Sequence, residues 1–396
     1  MNMNGWTDSQ EAAINDIQQF LANRVQTVWC LSGSPGTGKS YVISKAIAPL
    51  ARNAGYHFLV TATTNKAAAL VSGTTVHKAF GITLKNDYYT GETTYCTDKI
   101  KDIHSTLIVI DEASMLEINL WQIIQKHAHN CKFLLVGDMY QLPAVKAGAD
   151  VFNKYPVSML TEVVRQTDPD FLQEIENAKQ GVLNKDMYTP KACGAVKVVT
   201  IEDKDKIKEL LKSFGNQDKV LTYTNAAAIA YASNIRSLQG KKEDFEVGDS
   251  VISRNYCESP YSGTSLYCEQ ELEIASLSPI KTTEIIPGLN LQVREVSFRE
   301  APGTFLYAVN PEEYKNALKK TASLKNWKAY FFLKEKILDM RNYEACTIHC
   351  SQGSTYDRTF IDMQDIRKCK AHSVKARLLY VALSRAKNEV YIYDHV

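Results

Sequence analysis

The sequence predicts an α/β protein whose parallel sheets are covered by helices on both faces. Three observations carry this reading. Residues 28–31, 107–110 and 133–136 are apolar at consecutive rather than alternate positions, as strands buried on both faces are. Helix-like segments separate these runs, as crossover connections between parallel strands require. Each run also ends in polar or glycine-rich residues, at Gly33, Asp111-Glu112 and Gly137-Asp138. Ligands of open parallel sheets sit beyond such carboxyl ends.

The elements follow in order. Thr7 and Gln10 have capping-box spacing, and Ile14, Ile17, Phe20 and Leu21 continue as a helical apolar stripe. The strand at 28–31 leads into a glycine-rich loop at 33–40, and a helix is expected from 39 to about 52. A strand at 58–62 precedes a helix-like segment at 63–71. Residues 84–101, with Tyr88, Tyr89, Gly91 and Tyr95, break the alternation and read as a small β-rich insertion. After the strands at 107–110 and 133–136 come a polar helix near 169–179, a strand at 220–223 and an alanine-rich helix at 225–238. Short strands at 247–253, 272–277, 285–296 and 305–309, with Gly and Pro turns, suggest a small barrel inserted between the halves of a second α/β domain. Strand–helix–strand texture returns at 346–396.

Composition limits the function classes. The 396 residues carry 46 Lys plus Arg against 44 Asp plus Glu, a net charge of +2, with 45% hydrophobic and 23% charged residues. That is globular composition, long enough for two or more domains. No apolar run approaches the ~18 residues of a membrane span, so no membrane partner is expected. The first residues lack the basic-then-apolar order of a secretory signal. Nine cysteines without a C-x-x-C spacing argue against a disulfide framework or zinc ribbon, and a cytoplasmic location is expected.

Gly33-Ser34-Pro35-Gly36-Thr37-Gly38-Lys39-Ser40 matches G-x-x-x-x-G-K-[ST] at every position, between an expected strand and an expected helix. Glycines let backbone N–H groups turn inward around an anion, and the helix N-terminus adds positive potential. Lys39 can reach β- and γ-phosphates, and Ser40 can ligate Mg²⁺. Asp111 can hold the Mg²⁺ shell, and Glu112 can polarise an attacking water. A solvated strand end would also finish in two acids, but the phosphate loop favours the catalytic reading. A built-in base favours hydrolysis over transfer to a small acceptor, as in a P-loop kinase.

Further strings complete a pattern: TATTNKAA at 61–68, DEASM at 111–115, GDMYQLPAV at 137–145, LTEVVRQ at 160–166, TIHCSQGSTYD at 347–357 and LLYVALSRAK at 378–387. In this order they resemble motifs Ia to VI of the superfamily-one helicases, specifically the RecD/Dda-like 5′→3′ DNA helicases, with the phosphate loop as motif I. The resemblance runs from about residue 7 to 393 and is weakest across the expected barrel. It implies two RecA-like P-loop domains, a short β-hairpin insertion in the first and a small SH3-like β-barrel insertion in the second. The expected boundaries are 1–83 with 102–167 for domain 1A, 84–101 for insertion 1B, 168–240 with 344–396 for domain 2A, and 241–343 for insertion 2B. ATP with Mg²⁺ would bind between the RecA-like domains.

The resemblance also assigns roles. Gln10 would read the adenine edge, a role that a capping-box contact does not preclude. Gln141 would span the γ-phosphate and the nucleic-acid side, where the alternative is a solvated loop glutamine. Arg165 and Arg385 resemble arginine fingers, and Gly353 would permit close backbone approach to the γ-phosphate. Thr63, Thr64, Asn65, Thr75 and His77 in the first domain are implied DNA contacts, as are Tyr223, Thr224, Asn225, Thr347, His349 and Ser351 in the second. Thr and Ser at helix starts are also ordinary N-caps. The 84–101 insertion stands where a strand-separating pin would, with a plain hairpin as the alternative. Trp327, Tyr330, Phe331 and Phe332 read more simply as a buried helix face. The function implied is a monomeric ATP-dependent 5′→3′ DNA helicase acting on single-stranded and forked DNA. Single-strand-binding or other replication proteins are its candidate partners. A nucleotide-gated single-strand binding or loading factor and an RNA helicase remain as alternatives.

Overall fold

Strands buried on both faces build two central sheets. The computed structural model describes residues 5–143, 148–164, 168–200, 202–241 and 244–394. The first sheet contains β1 (Val28–Gly33), β2 (His57–Ala62), β3 (Thr74–Thr75), β4 (Thr106–Asp111), β5 (Lys132–Gly137) and β6 (Val157–Leu160). Their order is β6-β1-β5-β4-β2-β3, and every neighbouring pair is parallel. Register places Ser32 beside Gly137 and Ala62 beside Asp111. The phosphate loop, the acid pair and the Gly137-Asp138 turn therefore leave the sheet along one edge.

The second sheet contains β7 (Val196–Thr200), β8 (Asp218–Thr222), β9 (Ala345–Thr347), β10 (Tyr356–Asp362) and β11 (Ala386–Asp394), in the order β7-β11-β10-β8-β9. The first three neighbouring pairs are parallel. Leu142, just past the first sheet's edge, is buried in the second sheet's core with Phe171, Ile348 and Leu379. Both sheets belong to one body, formed by Met1–Ile82, Thr97–Ala228 and Cys346–Val396.

Local chemistry sets the flanking helices. Asp8–Ala22 begins at a complete capping box from Thr7 and Gln10 and buries Ala13, Ile17, Phe20 and Leu21. At its other end, the buried Lys132 ammonium donates to the carbonyls of Phe20 (2.9 Å), Asn23 (2.6 Å) and Gln26 (2.7 Å). The helix after the phosphate loop runs through Lys39–Val42, a π-turn at Ile43–Ile47, and Ala48–Asn53. Pro49 lacks an N–H to donate, and the ladder widens just before it. Among the described residues no helix is long and apolar enough to cross a membrane.

The second body comprises Thr83–Cys96 and Ile229–Ala345. Its main sheet is largely antiparallel, around a core of Val251, Leu272, Ile274, Val296, Phe305 and Leu338. The single strand expected at 285–296 is instead the end of one strand, Lys281–Ile286, and the start of another, Leu289–Phe298. Pro287 and Gly288 (φ 74°) make the turn between them. Two helices, Pro311–Ser323 and Trp327–Lys336, accompany these strands; the strand-and-turn reading of 241–343 did not anticipate the first. Asn310 caps it, with Pro at its first position.

The 84–101 insertion contains an antiparallel hairpin, Thr83–Asn86 with Thr93–Cys96. Its tip packs on the helix Trp327–Lys336. Tyr88 meets Phe331 edge-on at 5.4 Å, Asn86 donates to Glu335, and a Cβ added to Gly91 would lie 2.7 Å from the Trp327 ring. Phe331 is buried as a core-face residue should be, whereas Phe332 is 39% exposed and Trp327 receives the hairpin. Tyr89 projects with 94% exposure.

Candidate nucleotide and nucleic-acid site

β1 ends in the phosphate loop, where Gly36 (φ 87°) and Gly38 (φ 84°) adopt left-handed conformations that L side chains resist. Gly33 is needed for space, since a Cβ there would lie 2.6 Å from Thr37 Oγ1 and 2.9 Å from Leu160 Cβ. Thr37 Oγ1 donates to the Ser34 carbonyl at 2.9 Å and tightens the turn. The Lys39 ammonium donates to the carbonyls of Gly33 (2.7 Å) and Ser34 (3.2 Å). Pro35 is half-buried in the loop, and Ser40 is exposed at the start of the following helix. The buried Gln10 amide accepts from the Thr7 N–H (3.1 Å) and donates to the Thr37 carbonyl (3.0 Å). One end of the Gln10 amide thus closes the cap of its own helix, and the other ties that helix to the loop.

The acid pair follows β4. Asp111 Oδ1 accepts from the Glu112 N–H at 2.9 Å. Glu112 itself has φ 52° and ψ 40°, a strained conformation for a side-chain-bearing residue. Thr63 holds this turn, donating its N–H to the Asp111 carbonyl (3.3 Å) and its hydroxyl to the Glu112 carbonyl (3.1 Å). Burial raises the proton affinity of both carboxyls. At Glu112 the neighbouring Asp111 adds to this, while Lys39 and Arg385 oppose it. Glu112 Oε2 is buried with no hydrogen-bond partner among the described residues. Gly353, at φ 73°, faces the same carboxylate, since a Cβ there would lie 3.6 Å from Oε1.

Arg385 comes from the second sheet's side and is 2% exposed. Its guanidinium donates to the carbonyls of Val381 (3.2 Å) and Ser354 (3.3 Å) and to Ser384 Oγ (2.9 Å). Burial lowers its pKa, and Glu112 is the foremost group opposing that shift. Lys39 from one half and Arg385 from the other therefore act on one carboxylate. Arg165 lies outside the described residues.

Gln141 is 4% exposed rather than solvated. Its Nε2 donates to Asp138 Oδ2 (3.3 Å), and its Oε1 accepts from Gln352 Nε2 (3.5 Å), which also donates to the Leu142 carbonyl (3.2 Å). Asp138, Gln352, Arg377 and Tyr380 were not singled out from the sequence. Arg377 donates to the carbonyls of Met139 (2.8 Å) and Gln141 (2.6 Å). The Tyr380 hydroxyl is 2.7 Å from Asp138 Oδ2 and 2.9 Å from Ser34 Oγ. Signals for them existed: Asp138 ends a buried strand as Asp111 does, and Arg377 and Tyr380 lie one turn apart on the helix His372–Leu383.

The residues expected to contact DNA divide into several groups. Thr64 and Thr75 are N-caps, accepting from the N–H groups of Ala67 (3.1 Å) and Lys78 (3.2 Å). Asn65 and Asn225 are exposed at helix starts. Buried Asp365 holds the Tyr223-Thr224 turn through N–H contacts of 2.8 and 2.6 Å and the Thr224 hydroxyl at 2.9 Å. The Tyr223 and His349 rings lie 6.5 Å apart. Burial lowers the pKa of His77 and His349, which favours neutral imidazoles. Thr347 is 6% exposed and within 2.9 Å of Cys350 Sγ. Ser351 is fully buried with its hydroxyl on the Ile348 carbonyl (2.8 Å), so that group is not offered to a strand.

Among the described residues no group of three or more His, Cys, Asp or Glu could hold a metal ion. The Asp111–Ser40 donor set instead fits Mg²⁺, which takes one or two protein oxygens and leaves the other positions to phosphates and water. Two desolvated carboxyls and the orphaned Glu112 oxygen are consistent with a cation nearby.

An AAA domain model matches residues 6–200, and a UvrD-like helicase C-terminal domain model matches residues 343–393. An uncharacterized mimivirus protein, R530, is 20% identical over 96% of this chain and 98% of its own length. The ATP-dependent RecD2 DNA helicase of Deinococcus radiodurans is 32% identical over 34% of this chain and 19% of its own. The ATP-dependent DNA helicase PIF1 of Danio rerio is 23% identical over 90% of this chain and 56% of its own. The chain thus spans about a fifth and just over half of these two helicases. The Pif1 helicase from Bacteroides, crystallised with ADP-AlF3 and single-stranded DNA, shares the fold at a TM-score of 0.54 and 18% identity, over 98% of this chain and 92% of that one. The two parallel α/β sheets are accordingly two RecA-like domains.

Proposed function

We propose, for a chain that belongs to the superfamily-one helicases of the Pif1/RecD-like type, that it uses ATP hydrolysis to move 5′→3′ along single-stranded DNA and unwind duplex. One observation carries this most: the second half closes on the phosphate-loop edge of the first, with the Tyr380 hydroxyl 2.9 Å from Ser34 Oγ and Gly353 against the buried Glu112 carboxylate. A pocket completed from two sides can couple nucleotide turnover to relative movement of the sides.

Lys39 leaves the Gly33 and Ser34 carbonyls and meets the β- and γ-phosphates. Glu112 accepts a proton from the attacking water, its basicity strengthened by burial. Arg385 stabilises the charge on the phosphoryl group in transit. Ser40 and Asp111 would hold Mg²⁺, which supplies charge neutralisation on the phosphate oxygens. Asn65, Asn225 and the Tyr223–His349 pair are the accessible groups that suit a strand held by its backbone and stacked bases. The division into domains 1A, 1B, 2A and 2B, the SH3-like character of 2B, and a pin role for the Thr83–Cys96 hairpin belong to the same proposal, as does travel in the 5′→3′ sense.

The test compares 5′-tailed and 3′-tailed duplexes of DNA and RNA with ATP and Mg²⁺. Unwinding confined to 5′-tailed DNA is expected. Unwinding of 3′-tailed DNA overturns the polarity, and preference for RNA tails overturns the substrate. Single-strand-stimulated hydrolysis without unwinding would point to a nucleotide-gated binding or loading factor instead.

A further inference from the structure

A hydrogen-bonded chain of side chains runs from the phosphate loop into the second RecA-like domain, and Tyr380 is its one fully buried aromatic link. Lys39 donates to the Ser34 carbonyl at 3.2 Å. On the same residue, Ser34 Oγ lies 2.9 Å from the Tyr380 hydroxyl, which lies 2.7 Å from Asp138 Oδ2. The phenol has one proton; with that proton on the shorter contact to Asp138 Oδ2, Ser34 donates to Tyr380. Asp138 also receives the Tyr140 N–H (3.0 Å) and Gln141 Nε2 (3.3 Å), and Gln141 receives Gln352 Nε2 (3.5 Å). Gln352 sits on the turn that follows Thr347 and carries His349.

We propose that Tyr380 is a positioning residue that reports the state of the phosphate loop to the Asp138–Gln141–Gln352 network, and so couples ATP turnover to DNA occupancy. Lys39 and Tyr380 grip the same residue. When Lys39 moves to the phosphates, the Ser34 carbonyl loses its cation and the Ser34 hydroxyl shifts against Tyr380. Tyr380 cannot yield by rotating into solvent, because its side chain is wholly enclosed. Its movement therefore passes to Asp138, which orients Gln141. Arg377, one turn earlier on the same helix, is bonded to the carbonyls on either side of Tyr140, so helix and loop move as a unit.

The inference rests on the helicase reading, and the experiment separates the two. Steady-state ATP hydrolysis is measured with and without an oligo-dT strand for the wild type, Tyr380→Phe, Ser34→Ala and the double variant. Tyr380→Phe removes one oxygen and keeps the ring. It is expected to lower DNA-stimulated kcat about tenfold with the KM for ATP changed by less than about twofold, a split that general loosening would not give. The double variant should be no slower than the slower single variant, because both cut the same link. A wild type without DNA stimulation refutes the helicase reading itself. A stimulated wild type with Tyr380→Phe equally stimulated, or with fully multiplicative effects in the double variant, refutes the relay. Should Tyr380→Phe fail to fold, Ser34→Ala alone decides: unchanged stimulation by DNA overturns the relay.

Discussion

Replacing Glu112 by Gln should slow the enzyme and stabilise the protein, a pairing that a merely structural glutamate would not produce. Burial, Asp111 and Asp138 disfavour the Glu112 charge, while Lys39 and Arg385 favour it; the raised proton affinity means that the first group wins. Glutamine keeps the shape and the left-handed backbone, so the local strain cancels in the comparison. Neutralising a desolvated charge should gain on the order of 1 kcal/mol, the low end of the scale for a desolvated polar group. For a chain of this size that raises the thermal midpoint by about 1 °C. Turnover should fall at least ~100-fold through loss of the general base, with nucleotide binding retained. A carboxyl with raised folded pKa binds its proton more tightly when folded. Its contribution to stability is therefore greatest in acid and declines as pH rises from the ordinary glutamate range through the raised value. The glutamine variant should lack that slope. The assays are DNA-stimulated phosphate release at saturating ATP and thermal melts across pH. Turnover within about threefold of wild type, or a lower melting temperature, would refute the reasoning.

Lys39→Ala should abolish ATP hydrolysis while leaving the circular dichroism spectrum unchanged, because the ammonium's bonds are to two loop carbonyls rather than to the core. Lys132→Met should destabilise the protein by about 3 kcal/mol in a denaturant titration, since it strips a charged donor from three carbonyls at a buried helix end. Glu162 is held down to about 2, chiefly by the Ser9 hydroxyl. A depressed carboxyl stabilises above its unfolded pKa, so this contribution should fade as pH drops from ~4.3 toward that value. Glu162→Gln should flatten this part of the acid limb in thermal melts.

Much of the first sheet was legible because burial on both faces writes itself as consecutive apolar residues, and because a phosphate loop needs glycines at set positions. The Thr7–Gln10 cap was legible for a similar reason, being a contact over three residues. The 285–296 segment was misread as one strand although Pro287-Gly288 carries a turn signal, because β-type residues flank that dipeptide on both sides and were joined across it. Ser351 was assigned a DNA contact by the resemblance of the TIHCSQGSTYD string, which carries no information on which of its hydroxyls stay exposed. Its burial comes from packing of the whole loop, which no local pattern encodes.

The sequence by itself determined the backbone-level chemistry: where strands end, where an anion can sit, and that Asp111-Glu112 follows a buried strand. These depend on interactions within a few residues, or on burial that periodicity reports. Only the tertiary structure decided which distant side chains share a site: Gly353 and Arg385 with Glu112, Tyr380 with Ser34 and Asp138, and Asp365 with the Tyr223-Thr224 turn. Those pairings join residues up to 346 positions apart; the first two sets arise from how one sheet's edge meets the other half, and the last from neighbouring strands of the second sheet, geometries that spacing along the chain does not carry.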